Sequence, residues 1–352
     1  MTQGIELVKK LALCFGPTSC EGEVEKAIRE ELAGLPVELA TDRMGNLTAH
    51  LQGPAGAPRI MLSAHMDEVG FMITDIEEDG SLRVGNLGGY DHAVLAGRSL
   101  WLGDESKRVR GVIAAKGIHQ MDAKERKKLP EFDDLYVDIG TTSREETEKL
   151  LQRGDFAAFD TDFATFGKDN AFMRCKALDD RMGCAILIEV LRAVAERHLP
   201  LDLWFCFTVR EEIGRSGAKV TANRVAPDAA IVLETTAIAD LPDVDPARRV
   251  AEVGKGGVLS LLDRSTIYDR ELIGFALDTA GAHDIPVQVK RYVSGGNDAA
   301  HIQRSGIGVR CLALSAATRY LHAPVSVAAI KDFESMIALV IAMLGDWKEE
   351  LK

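Results

Sequence analysis

An α/β fold is what this chain predicts: a mostly parallel sheet with helices on both faces, carrying a small inserted β-barrel-like domain. Three observations carry that expectation. From about residue 170 onward, apolar strand-like runs alternate with stretches of helical periodicity, the pattern of parallel strands joined by helical crossovers. Earlier, Ile60–Ala64 is a compact apolar run, the signature of a strand buried on both faces. Between these regions, residues 70 to 165 change character, with short alternating segments separated by Gly-rich turns. The expected division is therefore 1–69 with 166–352 for the α/β unit, and 70–165 for an insert.

Taken in order, residues 4–13 place apolar side chains at helical spacing. A second helix is expected at about 23–33, with Thr18 and Glu21 at the spacing of a capping box. The segment VELATDRMGNLTAHL reads as two short strands about a turn at Arg43–Asn46. Inside the insert, Asp79-Gly80 suits a tight hairpin, and further turns fall at Gly88-Gly89, Gly97 and Gly103. The charged stretch at 122–128 reads as a solvated loop. A helix at 143–153 opens with Ser143 and Glu146, again at capping-box spacing. Then follow a very apolar helix at about 181–196, a strand Leu201–Val209 and a helical segment near 215–224. A strand at 229–233, a helix at about 268–282, strands at 285–290 and Val309–Leu314, and a last helix from about 330 complete the chain.

The bulk properties narrow the function. With 352 residues the prior is two domains at roughly 150 residues each. Hydrophobic residues make up 46% and charged ones 27%, enough for a sizeable core and too little charge for disorder. Against 42 basic residues stand 54 acidic ones, a net −12, which disfavours a nucleic-acid backbone or an anionic membrane as partner. No run approaches the roughly 18 apolar residues of a membrane span, and the first residues lack a leader pattern, so a cytoplasmic protein is expected. Six cysteines lack C-x-x-C spacing and sit mostly in apolar stretches, which reads as buried thiols in a reducing compartment.

The placement of His, Asp and Glu carries the chemistry. His65 and Asp67 follow the strand Ile60–Ala64. Glu211 and Glu212 follow the strand ending at Val209, Glu234 follows Ile231–Leu233, and His322 comes shortly after Val309–Leu314. Asp179 and Asp180 stand at the entrance of the apolar helix, where either could instead serve as its cap. Ligands of open α/β sheets bind outside the carboxyl ends of the strands, so these residues converge on one rim. Two imidazoles with several carboxylates suit divalent zinc, cobalt or manganese. They exceed what one tetrahedral ion takes and fit two ions about 3.5–4 Å apart bridged by a carboxylate. In the Glu-Glu pair, one carboxylate can bind metal while the other faces the activated water as general base.

The stretches SAHMDEVGFMI (63–73), KALDDRMG (176–183), VREEIGRSGA (209–218), SGGNDAA (294–300) and TRYLHAPVSV (318–327) resemble the tetrahedral aminopeptidase family. That family holds glutamyl and deblocking aminopeptidases and FrvX-like proteins, and the resemblance spans essentially the whole chain. It implies an α/β peptidase domain with an inserted β-barrel-like domain that helps pair subunits. It also implies two divalent ions, zinc or cobalt, a homo-oligomeric dodecamer, and short peptides as substrates. Carried over by residue, it makes His65 a ligand of one ion, oriented by Asp67. Asp179, first of the acidic pair, bridges both ions. Glu212 and His322 complete the site of one ion, Glu234 joins His65 at the other, and Glu211 is the base. Two departures stand out: Glu234 occupies a position usually held by Asp, and Arg210 one usually held by Gln. His119 and Asp298 match family positions without an assigned role. The same ligands would serve another two-metal amide hydrolase, a deacylase or carboxypeptidase, and a non-catalytic assembly protein could keep the fold.

Overall fold

The structure is a computed structural model, which describes residues 3–242, 244–348 and 351. Among these, eleven strands form one mixed sheet. Its centre is parallel, in the order Asp202–Thr208, Arg59–His65, Ala229–Ala237 and Arg310–Arg319. Its flanks are antiparallel. Leu47–Leu51 and Glu38–Thr41 extend one side, and Ser326–Ala329, Phe172–Cys175 and Ala164–Phe166 extend the other. Two short strands, Gly257–Leu259 and Val287–Val289, branch from Arg310–Arg319.

The apolar composition of the central strands explains their place. Every residue of Arg59–His65 after Arg59 is buried, and successive side chains point to opposite faces, so both faces are covered. The helix Leu178–Val194 packs on Arg59–His65 and Ala229–Ala237, and the helices Gln3–Leu13 and Ile330–Gly345 pack on it. It is buried nearly all round, which its run of Met, Cys, Ala, Ile and Leu allows. The helix Ser216–Val225 packs on Asp202–Thr208 and on the short helix Ala299–Ile302, while Arg270–Ala282 packs on Ile330–Gly345.

The insert closes into a six-stranded antiparallel barrel from Gly70–Ile76, Leu82–Leu87, Tyr136–Asp138, Arg108–Ala114, Ser99–Gly103 and Phe156–Phe159. It has its own core, in which Phe71 stacks on Tyr90 at 4.9 Å and meets Phe159 edge-on at 5.6 Å. The Asp79-Gly80 hairpin is present: Gly80 has φ +88°, and Asp79 Oδ1 accepts from the Ser81 N–H at 3.0 Å. After Phe159 the chain returns to the main sheet, so Ala164–Phe166 pairs there and not in the barrel.

Several local expectations need correction. Thr18 does not cap the helix Gly22–Leu32, whose N-terminus has no side-chain cap. Its hydroxyl instead donates to the buried carboxylate of Asp67 at 2.8 Å, a charge-assisted bond stronger than a neutral cap. Ser143 does cap its helix, but that helix is Arg144–Glu148, shorter than 143–153. Glu146 reaches the Thr142 N–H at 2.8 Å instead of Ser143, and the Gln152 N–H turns to Asp155 at 2.8 Å, ending the helical path. The strands at 229–233 and Val309–Leu314 are longer, Ala229–Ala237 and Arg310–Arg319, because polar Thr235, Thr236, Ser315 and Thr318 are buried in the ladder.

Candidate metal centre

The central strands separate at their carboxyl ends. Pairing between Arg59–His65 and Ala229–Ala237 stops at Ser63 with Val232, although both strands continue. His65 and Glu234 therefore stand on the two sides of an opening, the expected place for a ligand in such a sheet. Glu234 lies inside its strand, opposite Ser315, and not beyond its end.

His65 is fixed on every side. Its backbone N–H donates to Asp180 Oδ2 at 3.3 Å, and its carbonyl accepts from the Cys184 thiol at 3.1 Å. Its ring Nδ1 lies 3.0 Å from the Asp67 carbonyl and 3.4 Å from Asp67 Oδ1, which leaves Nε2 facing the opening. There Nε2 lies 3.3 Å from Asp179 Oδ1 and 3.9 Å from Glu234 Oε2. On the other side of Asp179, His322 Nε2 lies 3.3 Å from Asp179 Oδ2 and 3.3 Å from Glu212 Oε2. The two oxygens of one carboxylate thus face two different histidines. Each triad, His65 with Asp179 and Glu234, or Asp179 with Glu212 and His322, brings its donor atoms within 4.8 Å of one another.

The adjacent acids divide their work. Asp180 accepts the Gly183 N–H at 3.1 Å, the capping role considered for this pair, and also holds the His65 backbone. Asp179 makes neither bond and faces the opening. Asp67 acts through its surroundings: Oδ1 accepts from the Glu211 N–H at 3.0 Å, and Oδ2 from the Glu212 N–H at 3.1 Å. Burial alone would raise its carboxyl, but His65, these amides and Thr18 outweigh it and hold it ionised.

These residues fit divalent cations. Asp179 Oδ1 and Glu212 Oε1 are buried without a hydrogen-bond partner, the mark of a missing electrophile. Burial, then neighbouring acids, push Glu212 and Glu234 well above the usual carboxylate range, although nearby histidines lower them. Burial would lower His65 and His322, yet contact with Asp179 outweighs it and raises both, His322 to about 9. Without a cation the cluster must take up protons, since an uncompensated buried charge costs on the order of several kcal/mol. A divalent ion reverses both trends, keeping carboxylates ionised and imidazoles neutral.

Glu211 belongs to neither triad. It is buried, and its Oε1 accepts from Arg215 Nε at 2.7 Å, while Arg215 also donates to the Gly296 carbonyl at 2.8 Å. The cation beside Glu211 is therefore Arg215 and not Arg210, whose field acts on Glu21. The REEIGR spacing, with Glu and Arg four apart, was the available signal. Burial raises Glu211, partly offset by His65 and Arg215.

Other buried charges support the site. Glu68 Oε1 binds Lys176 Nζ at 2.6 Å and Arg181 at 3.3 Å. Arg181 also donates to the carbonyls of Leu11, Gly16 and Met66, clamping the turn after His65. Lys176 and Arg181 flank the acidic pair in KALDDR, as charges in an apolar stretch. Asp298 is buried, accepts from the Thr208 hydroxyl at 2.7 Å, and is pushed up to about 8 by burial and then Glu211. Among the remaining histidines, His50 stacks on Trp204 at 4.0 Å, His283 pairs with Asp346 at 2.8 Å, and His119 is exposed on the barrel. His301 lines the cavity beside the cluster, whose volume is about 550 Å³. Cys14, Cys175, Cys184, Cys206 and Cys311 are buried free thiols, and Cys20 is a partly buried one.

The chain is similar to known aminopeptidases along nearly its whole length. The chain is 32% identical to the putative aminopeptidase FrvX of Escherichia coli (strain K12) over 342 residues, covering 97% of this chain and 94% of that protein. It is 32% identical to lysyl aminopeptidase of Pyrococcus furiosus, with 99% and 97% covered. The TET aminopeptidase structure from Thaumarchaeota archaeon SCGC AB-539-E09 superposes with a TM-score of 0.95 at 34% identity, covering 99% of this chain and 98% of that one. The model of the M42 glutamyl aminopeptidase family matches residues 45–339, and the chain belongs to that family of aminopeptidases.

Proposed function

We propose that the protein removes N-terminal residues from short peptides using two divalent ions, zinc or cobalt. The observation that carries this is Asp179, whose two oxygens face the two donor triads. His65 and Glu234 would hold one ion, Glu212 and His322 the other, with Asp179 between them. When bound, the ions would polarise the scissile carbonyl, lower the pKa of the attacking water and receive the free α-amine.

The chain's own residues do the rest. Asp67 fixes the backbone of Glu211 and Glu212 together, so ligand and base keep one spacing. Glu211, turned by Arg215, takes the water's proton on its carboxylate and returns it to the leaving amine. Glu234, one methylene longer than Asp, would serve as ligand from where its Oε2 stands 3.9 Å from His65 Nε2.

Metal analysis with a panel of aminoacyl-p-nitroanilides tests the proposal. Activity should follow restored metal and vanish when the substrate's N-terminus is acetylated. A requirement for the acyl group would make the protein a deacylase, and no activity with full metal content would make it a non-catalytic relative. By the same resemblance, the 70–165 insert pairs subunits in a homo-oligomeric dodecamer, the assembly of tetrahedral relatives. The −12 net charge disfavours nucleic-acid and anionic-membrane partners. Among the described residues no helix is long and apolar enough to cross a membrane.

A further inference from the structure

The connection between the helices Gln3–Leu13 and Gly22–Leu32 is unusual for a loop, because residues 14–18 are buried throughout. It runs beside the turn that follows His65. Pro17 and Glu68 form a parallel bridge there. The Glu68 N–H donates to the Gly16 carbonyl at 3.0 Å, and the Thr18 N–H donates to the Glu68 carbonyl at 3.1 Å. Pro17 needs no N–H of its own in this bridge, so proline is tolerated and its fixed φ favours one path. The fit is close. A Cβ at Gly16 would come within 2.5 Å of the Arg181 guanidinium, and one at Gly70 within 2.6 Å of Pro17 Cβ. Arg181 in turn binds the Gly16 carbonyl at 3.0 Å and Glu68 at 3.3 Å. Residues 16–18 are therefore held in one register against 66–68.

That register decides where Thr18 points. Its hydroxyl donates to Asp67 Oδ2 at 2.8 Å. The same carboxylate receives the Glu212 N–H on Oδ2 at 3.1 Å and the Glu211 N–H on Oδ1 at 3.0 Å, with His65 Nδ1 3.4 Å from Oδ1. Among the described residues, Thr18 is its only hydrogen-bond donor from outside the proposed centre, and its bond is the shortest. The other contacts are to the groups that Asp67 itself orients, so if its carboxylate turned they could turn with it. Thr18 could not, because its segment is tied to Glu68 and Arg181. Asp67 is fully buried, so no solvent reaches the carboxylate to replace a lost donor.

We infer that Thr18 is a positioning residue for the reaction: through Asp67 it fixes the His65 imidazole and the spacing of Glu211 from Glu212. The inference rests on the aminopeptidase reading above. Thr18 belongs to neither donor triad and acts only through the carboxylate it binds.

The test compares Thr18→Ser, which keeps the hydroxyl, with Thr18→Val, which keeps the shape and removes the donor. Steady-state rates on an aminoacyl p-nitroanilide are read beside Tm and the visible absorption of the cobalt-loaded protein, which reports the geometry of the ligands. In Thr18→Val, kcat should fall about tenfold or more with KM little changed, and the cobalt bands should shift. Thr18→Ser should stay within about threefold of wild type with unshifted bands. If Thr18→Val does not fold, Thr18→Ala removes the same donor without placing a methyl against the carboxylate. Wild-type kcat or unshifted bands in the folded donor-less variant, even at a lowered Tm, would make Thr18 a packing residue and overturn the inference. A loss in Thr18→Ser equal to that in Thr18→Val would overturn it too. Each of these results leaves the aminopeptidase reading standing. A wild-type protein inactive on every aminoacyl anilide overturns that reading instead, and the cobalt bands then still judge Thr18.

Discussion

Glu211→Gln separates catalysis from metal binding. The substitution keeps the side chain's volume and removes one charge and the proton-accepting carboxylate. Its structural cost is small. Arg215 Nε, 2.7 Å from Glu211 Oε1, still meets an amide oxygen, and the guanidinium keeps its bond to Gly296. The Arg215 side chain is 30% exposed and the Glu211 side chain 8%, so the guanidinium keeps solvent contact when the ion pair is lost. That loss is offset because the Glu211 charge also pushes up Glu212, Glu234 and Asp298. The chemical cost is large: a general base is worth about 10²–10⁴-fold, or about 3–5 kcal/mol of barrier. Because Glu211 is in neither donor triad, metal content should stay at the wild-type level. Steady-state rates on an aminoacyl anilide, metal content by mass spectrometry and Tm, measured on one preparation, make the test. A kcat within about threefold of wild type at full metal content would refute the base assignment. Metal loss in step with activity would move Glu211 into the ligand set.

Other perturbations read other parts of the same arrangement. His65→Ala should lower metal occupancy and activity together, and full occupancy in that variant would remove His65 from the ligands. Chelation should lower Tm and re-addition of zinc or cobalt restore it, by about 2.7 kcal/mol at a hundredfold excess over Kd; an unchanged Tm contradicts ion binding. Arg215→Leu should lower kcat about tenfold with metal content intact, and Arg215→Lys should recover part of it; equal rates in all three would make the ion pair incidental. At Asp202, burial would raise the carboxyl, but bonds from His50, the Gly53 N–H and Trp204 outweigh it and hold it at about 2, below its ordinary 3.8. That stabilisation is fully present above pH 3.8 and is lost as pH falls through about 2. Asp202→Asn should therefore be less stable than wild type at neutral pH, with the gap closing only in that acid window of a denaturation series.

The sequence reading succeeded where apolar pattern and periodicity agree with burial, as in Arg59–His65 or Leu178–Val194. It failed where polar residues are buried in a sheet. Thr235 and Thr236 carry the strand Ala229–Ala237 past the apolar run, and Ser315 and Thr318 do the same in Arg310–Arg319. The flanking strands Phe172–Cys175 and Ser326–Ala329 were missed for a related reason. Each is four residues long, and their pairing is with each other across more than a hundred intervening positions, which local pattern does not report.

At the candidate site, the acid pairs could be read from the residues themselves, whereas the division of labour within each pair came only from the family resemblance. Asp179 and Asp180 are identical in sequence terms, and either can cap a helix or bind an ion. What distinguishes them is direction. Asp180 is taken up by the N–H groups of Gly183 and His65, which leaves Asp179 to face both histidines. The same holds for Glu211 and Glu212, which Asp67 grips by successive amides. Glu212 then reaches His322, and Glu211 reaches Arg215. In each pair one acid has its charge absorbed by the scaffold, while its neighbour keeps oxygens without hydrogen bonds, at Asp179 Oδ1 and Glu212 Oε1. Those unsatisfied oxygens are stable only against something positive, and the proposal of two ions over one rests on Asp179, whose two oxygens face two different histidines.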